Sequence, residues 1–140
     1  MSQQKYLERF LSAQERDYPQ ALAEIRSGRK RSHWIWYIFP QLRGLGHSHN
    51  AEYYGIQDLD EAEAYLAHPL LGPRLVKISG ALLALPGHDA TAVMGNPDDL
   101  KLRSCMTLFS LVPGSDPVFQ QVLDKYFKGQ RDAATVTRLE

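Results

Sequence analysis

A single cysteine among 140 residues excludes an internal disulfide. Cys105 sits among apolar neighbours, so the chain reads as one made for a reducing compartment. No apolar run approaches the roughly 20 residues that a membrane-spanning helix needs. The opening MSQQKYLERF lacks the basic-then-apolar order of a secretory signal. These absences predict a soluble cytoplasmic protein that meets no membrane. Excess charge is missing as well, because 16 Lys+Arg balance 16 Asp+Glu. Dedicated duplex-DNA binders carry a strong positive excess, since phosphate neutralisation dominates their affinity, so duplex DNA is not expected as a partner. The chain also lacks repeats, low-complexity tracts and long linkers, and no stretch keeps a two-residue alternation for long. Little or no sheet is expected.

What is present is enough for one core. The length prior gives a single domain, residues 1–140, that can bury roughly 68–70% of the surface its unfolded chain exposes. Charge is spread unevenly along it. Residues 1–50 hold eight cations against four anions, residues 51–100 two against eight, and residues 101–140 six against four. A local basic cluster of this kind suits a compact anion better than a long polyanion.

Apolar spacing and caps predict a mainly α-helical bundle of about six to eight short helices. Tyr6, Leu7, Phe10 and Leu11 share a helical face that Pro19 is expected to interrupt. A second helix then carries Leu22 and Ile25 and stops at Gly28. Asp58 with Glu61 three residues on reads as a capping pair opening a helix through Tyr65 and Leu66, closed by Pro69. Leu71, Leu75, Ile78, Leu82 and Leu85 recur at steps of four and three, the strongest amphipathic signal in the chain. Asn96 and Pro97, followed by Asp98 and Asp99, start a helix whose buried face is Leu102, Met106, Phe109 and Val112. Asp116 and Pro117 start another through Phe119, Val122, Leu123, Tyr126 and Phe127, ending at Gly129. A last short helix from Asp132 is expected to bury Val136 and Leu139.

Candidate chemistry concentrates in SGRKRSHWIWYIFPQLRGLG, residues 27–46. Arg29, Lys30, Arg31 and Ser32 could grip a phosphate, with arginine supplying a two-pronged fork; they could equally be a solvated connection between helices. Trp34 and Trp36 lie in an apolar run whose period does not separate helix from strand; one indole face could stack on a ring while the rest fills the core. His33, between cations and indoles, is the candidate acid–base group. Lys101 and Ser104, three apart on one helix, could face this cluster and complete an anion site. No metal or cofactor motif is visible. His47 and His49 lack a Cys, Asp or Glu partner at a recognised spacing and read as a polar loop. His68 and His88 read as helix ends, Gly44 and Gly46 as a tight turn outside any dinucleotide or Walker pattern, and Cys105 as an inert buried thiol.

GRKRSHWIWYIFPQLRGLG, YGIQDLDEAEAYLAHPLLGPRL, DLKLRSCMTLFS and GQRDAATVTRL together resemble the bacterial family catalogued as domain of unknown function 1810, some of whose members carry a calpastatin label. The resemblance covers nearly the whole chain and implies a single, mainly α-helical domain. It brings no activity and no catalytic residue with it. A fainter similarity in helix order and size links the chain to small helical enzymes of the NAD and ADP-ribose-associated kind. The expectation is a protein that binds, and could hydrolyse, a small phosphorylated or nucleotide-like ligand of ADP-ribose type. Its rival is a non-enzymatic module docking on protein or single-stranded RNA. Homodimerisation stays open.

Overall fold

Helix α1 runs unbroken from Glu8 to Arg26 with Pro19 inside it, in a computed structural model that describes residues 6–140. Residues 1–5, on which the reading of a missing secretory signal partly rests, lie outside the described residues. The expected break at Pro19 does not occur. Proline removes the donor that would meet the Glu15 carbonyl and costs a helix interior about 3 kcal/mol. Glu15 and Pro19 both face solvent, so water can satisfy that carbonyl. Meanwhile Phe10 and Ala13 before the proline, and Ala21, Leu22 and Ile25 after it, are buried in one core. Burial on both sides offsets the local cost. The helix does end where glycine was expected, with Gly28 at φ +89°.

Eight further helices follow among the described residues. They are α2 (Ile35–Ile38), α3 (His49–Tyr54), α4 (Leu59–Ala67), α5 (Leu71–Ala84), α6 (Ala90–Met94), α7 (Asp98–Ser110), α8 (Val118–Phe127) and α9 (Ala133–Leu139). The apolar run after His33 thus forms one turn of helix. Two short helices escaped the periodicity. In α3, Ser48 caps a segment read as a polar histidine loop, and in α6, Asp89 caps a five-residue helix. Neither is long enough to display a stripe. No strand forms among the described residues; Leu42 and Ile56 make an isolated parallel bridge. That bridge holds the segment after α2 against the start of α4, with Arg43 N–H donating to Ile56 O at 2.8 Å and Ile56 N–H to Gln41 O at 2.9 Å.

Helix α7 is the hub. Its Leu102, Cys105, Met106, Leu108 and Phe109 are fully buried, and it packs on α2, α4, α6, α8 and α9. α5 buries the predicted Leu71, Leu75, Ile78 and Leu82 between α1, α4 and α8. Gly72 is required there, since a β-carbon would run into the Leu66 carbonyl at the α4–α5 corner. Two starts differ in detail from expectation. α7 begins at Asp98 with no side-chain cap from Asn96; the buried Asp99 instead accepts from Thr91 Oγ1 at 2.6 Å and Asn96 Nδ2 at 3.1 Å. α9 is capped by Asp132 as expected, but the residue it buries fully is Thr135, while Val136 and Leu139 are half-buried.

Candidate ligand-binding cleft

The basic stretch after α1 folds around an anion of the protein's own. Glu24 Oε1 accepts from Arg31 N–H at 2.8 Å, Ser32 N–H at 3.0 Å and Trp34 Nε1–H at 3.0 Å, and Oε2 accepts from the Ser32 hydroxyl at 2.7 Å. Burial opposes the charge on Glu24, but the hydrogen bonds from Arg31, Ser32 and Trp34 together outweigh it and hold the carboxyl at about 2, against a usual 4.5. Trp34, 1% exposed, is therefore a post for this loop, with no free face for a ligand ring. Lys30 points inward as well. Its Nζ meets Asp98 Oδ2 at 2.7 Å, donates to Ser32 O at 2.6 Å and lies 4.9 Å from the Trp34 ring centre. Arg29, Arg31 and His33 remain exposed.

Asp98 links this loop to the face where the other predicted residues gather. Its Oδ1 lies 3.6 Å from Lys101 Nζ, and that ammonium sits 5.5 Å from the centre of the Trp36 ring. Lys101 and Ser104, three residues apart on α7, line one cleft of about 240 Å³. Gln41, Leu45 and Gly46 enter it from the turn after α2, Pro97 and Leu100 from the start of α7, and Asp132 and Ala134 from the start of α9. The walls differ in character. Leu45, Pro97, Leu100 and Ala134 form an apolar side, and Leu100 is 53% exposed, the most of any large apolar residue described. Gln41, Lys101, Ser104 and Asp132 supply donors and acceptors. The Ser104 hydroxyl donates one long bond, 3.3 Å, to Leu100 O, weak enough for the hydroxyl to turn and donate to a stronger, anionic acceptor instead. Trp36, half-buried, keeps its Nε1–H buried without an acceptor among the described residues.

Of the residues singled out in the sequence, Lys101, Ser104 and Gly46 line the cleft, Trp36 adjoins it through Lys101, and Lys30 reaches Lys101 through Asp98. Arg29, Arg31, Ser32, His33 and Trp34 do not line the cleft. Gln41, Leu100 and Asp132 were missed. Leu100 had a legible signal, because it is apolar but out of phase with the Leu102, Met106 and Phe109 stripe. Asp132 was read only as a cap, and Gln41 carried no signal.

Other clefts among the described residues lie elsewhere. One of about 310 Å³ is lined by Arg43, Asp58, Asp60 and Arg138, and one of about 340 Å³ is largely apolar, between Leu66, Val76 and Phe119. Cys105 is fully buried, which pushes its thiol well above the ordinary range and keeps it unreactive. His68 has a role the sequence reading omitted: its Nδ1 accepts from Leu70 and Leu71 N–H, closing the start of α5.

The signatures running from the basic stretch to α9 are matched by a family model described as protein of unknown function DUF1810, over residues 4–139. The chain belongs to the DUF1810 family. The crystal structure of the conserved hypothetical protein Rv1873 from Mycobacterium tuberculosis is 48% identical and superposes with a TM-score of 0.93, covering 95% of each chain. This DUF1810 chain therefore has a helical fold seen in a solved relative. No curated protein matches it. Among the described residues, no helix is long and apolar enough to cross a membrane.

Proposed function

We propose that the protein binds a small phosphorylated or nucleotide-like ligand, of ADP-ribose type, in the cleft between α7, the turn after α2 and the start of α9. The observation that carries this reading is the meeting of Lys101, Ser104 and the Trp36 ring beside an exposed apolar wall. An ammonium and a hydroxyl one helical turn apart suit a phosphoryl oxygen. Leu45, Pro97 and Leu100 suit the flat face of a base or sugar. The cleft volume of about 240 Å³ falls slightly below the usual range for whole-ligand pockets, so it takes one moiety of such a ligand and leaves the remainder over the surface. Lys30 and Lys101 share the carboxylate of Asp98, so the positive charge is local to Lys101, while Asp132 brings a second carboxylate to the cleft wall.

The chemistry on offer to such a ligand is hydrolysis of a glycosidic or phosphoester bond. His33 lies outside the cleft, exposed on the loop that Lys30 and Asp98 tie to its rim, so it serves as the acid–base group of this reading only for the part of the ligand that extends from the cleft over that surface. Calorimetric titration with AMP and ADP-ribose tests the proposal. Micromolar to millimolar binding is expected, weakened about tenfold in Lys101→Ala, the usual effect of losing one charge-assisted hydrogen bond. His33→Ala should retain the affinity and lose any turnover. Absence of binding to either nucleotide, with binding to single-stranded oligonucleotides that weakens steeply with salt, would replace this reading by an RNA-binding module.

A further inference from the structure

Asp132 enters the same cleft with half of its carboxylate uncommitted. Oδ2 accepts both from Thr135 N–H at 3.0 Å and from the Thr135 hydroxyl at 2.6 Å, whereas Oδ1 accepts from no described residue. The backbone at Asp132 is held in place as well. Its N–H donates to Thr107 Oγ1 at 2.9 Å, and Arg103 clamps the preceding carbonyls, Nε to Gln130 O at 3.0 Å and Nη2 to Arg131 O at 3.1 Å. An acceptor with a spare anionic oxygen, on a residue that lines the cleft together with Lys101 and Ser104, sets an acceptor beside the cleft's donors. The helix terminus itself takes no part, since Asp132 Oδ2 already occupies its capping position.

We propose that Asp132 recognises hydroxyl groups of the ligand, so that the ligand carries a ribose-type vicinal diol beside its phosphate. This rests on the ligand-binding reading of the cleft. A phosphate is repelled by a carboxylate and settles at Lys101 and Ser104; a sugar hydroxyl is a donor and settles at Asp132. Ionised carboxylates accept only, and the charge-assisted bond they form with a hydroxyl is among the stronger ones.

The test compares ribose 5-phosphate, 2-deoxyribose 5-phosphate and inorganic phosphate by NMR titration of the wild type and of two variants. Asp132→Asn keeps a good capping oxygen but turns the spare oxygen into a donor, and Asp132→Ser keeps the cap while removing that atom. The wild type is expected to prefer the ribose ester by about tenfold. Both variants should lose that preference, bind inorganic phosphate no more weakly than the wild type, and keep the wild-type melting temperature within a few degrees. Equal wild-type affinity for the two sugar phosphates, or a ribose preference that survives in both variants, would overturn the role of Asp132 and leave the cleft reading intact. Failure of the wild type to bind any of the three would overturn both.

Discussion

Glu24 decides the character of the basic loop. Five cationic or donor-rich residues in a row look like a place for a foreign phosphate, yet the backbone N–H groups of Arg31 and Ser32, the Ser32 hydroxyl and the Trp34 indole converge on this one carboxylate. Because its folded value of about 2 lies below the usual 4.5, Glu24 contributes stability that is complete above pH 4.5 and is lost as the pH falls toward 2. Glu24→Gln should therefore lower stability at pH 7 by about 2 kcal/mol through its weakened hydrogen bonds. Denaturant titrations across pH should see the gap to wild type close near pH 2. An unchanged gap at both ends would remove Glu24 from this role. That carboxylate was invisible in the sequence because nothing local joins Glu24 to residues 31–34; the link exists only once α1 turns at Gly28. The residues that did reach the cleft, Lys101 and Ser104, were legible because one helix fixes their separation whatever the rest of the chain does.

At the level of elements, the long α1 is fastened to the α3–α4 corner by a buried ion pair. Arg9 reaches the Glu61 carboxylate at 3.2 and 3.3 Å and donates to Tyr53 O and Gly55 O at 2.9 and 3.0 Å, with the Arg9 and Glu61 side chains 4% and 1% exposed. The expected capping pair forms, with Asp58 accepting from Glu61 N–H at 2.9 Å, and the Glu61 carboxylate accepts in turn from Gln57 N–H at 2.7 Å. Glu61→Ala leaves a guanidinium buried without its counter-charge, and a loss of about 3–5 kcal/mol is expected in chemical denaturation. A loss below about 1 kcal/mol, the size typical of an exposed pair, would mean that Arg9 finds other partners. The elements themselves were mostly readable. Helices longer than two turns displayed their stripe and caps, whereas α3 and α6 were too short to do so, and Pro19 misled because the residues that compensate for it lie across the core.

On the scale of the whole molecule, the turn after α2, the start of α7 and the start of α9 are far apart in the chain and meet only in the fold. Sequence reading centred its candidate site on the basic loop, whereas the spatial cleft is lined by Gln41, Leu45, Leu100, Lys101, Ser104 and Asp132. Loop and cleft remain coupled, since Asp98 joins Lys30 to Lys101 across the first turn of α7. The most direct test of this geography is a backbone amide NMR titration of the full chain with ADP-ribose. The largest saturable shifts should fall on Gln41, Leu45 and Gly46, on Leu100 to Ser104 and on Asp132 to Ala134, and Lys101→Ala should need about tenfold more ligand to reach the same shifts. Saturable shifts confined to Arg29, Arg31 and His33, or to the Arg43 and Arg138 cleft, would contradict it.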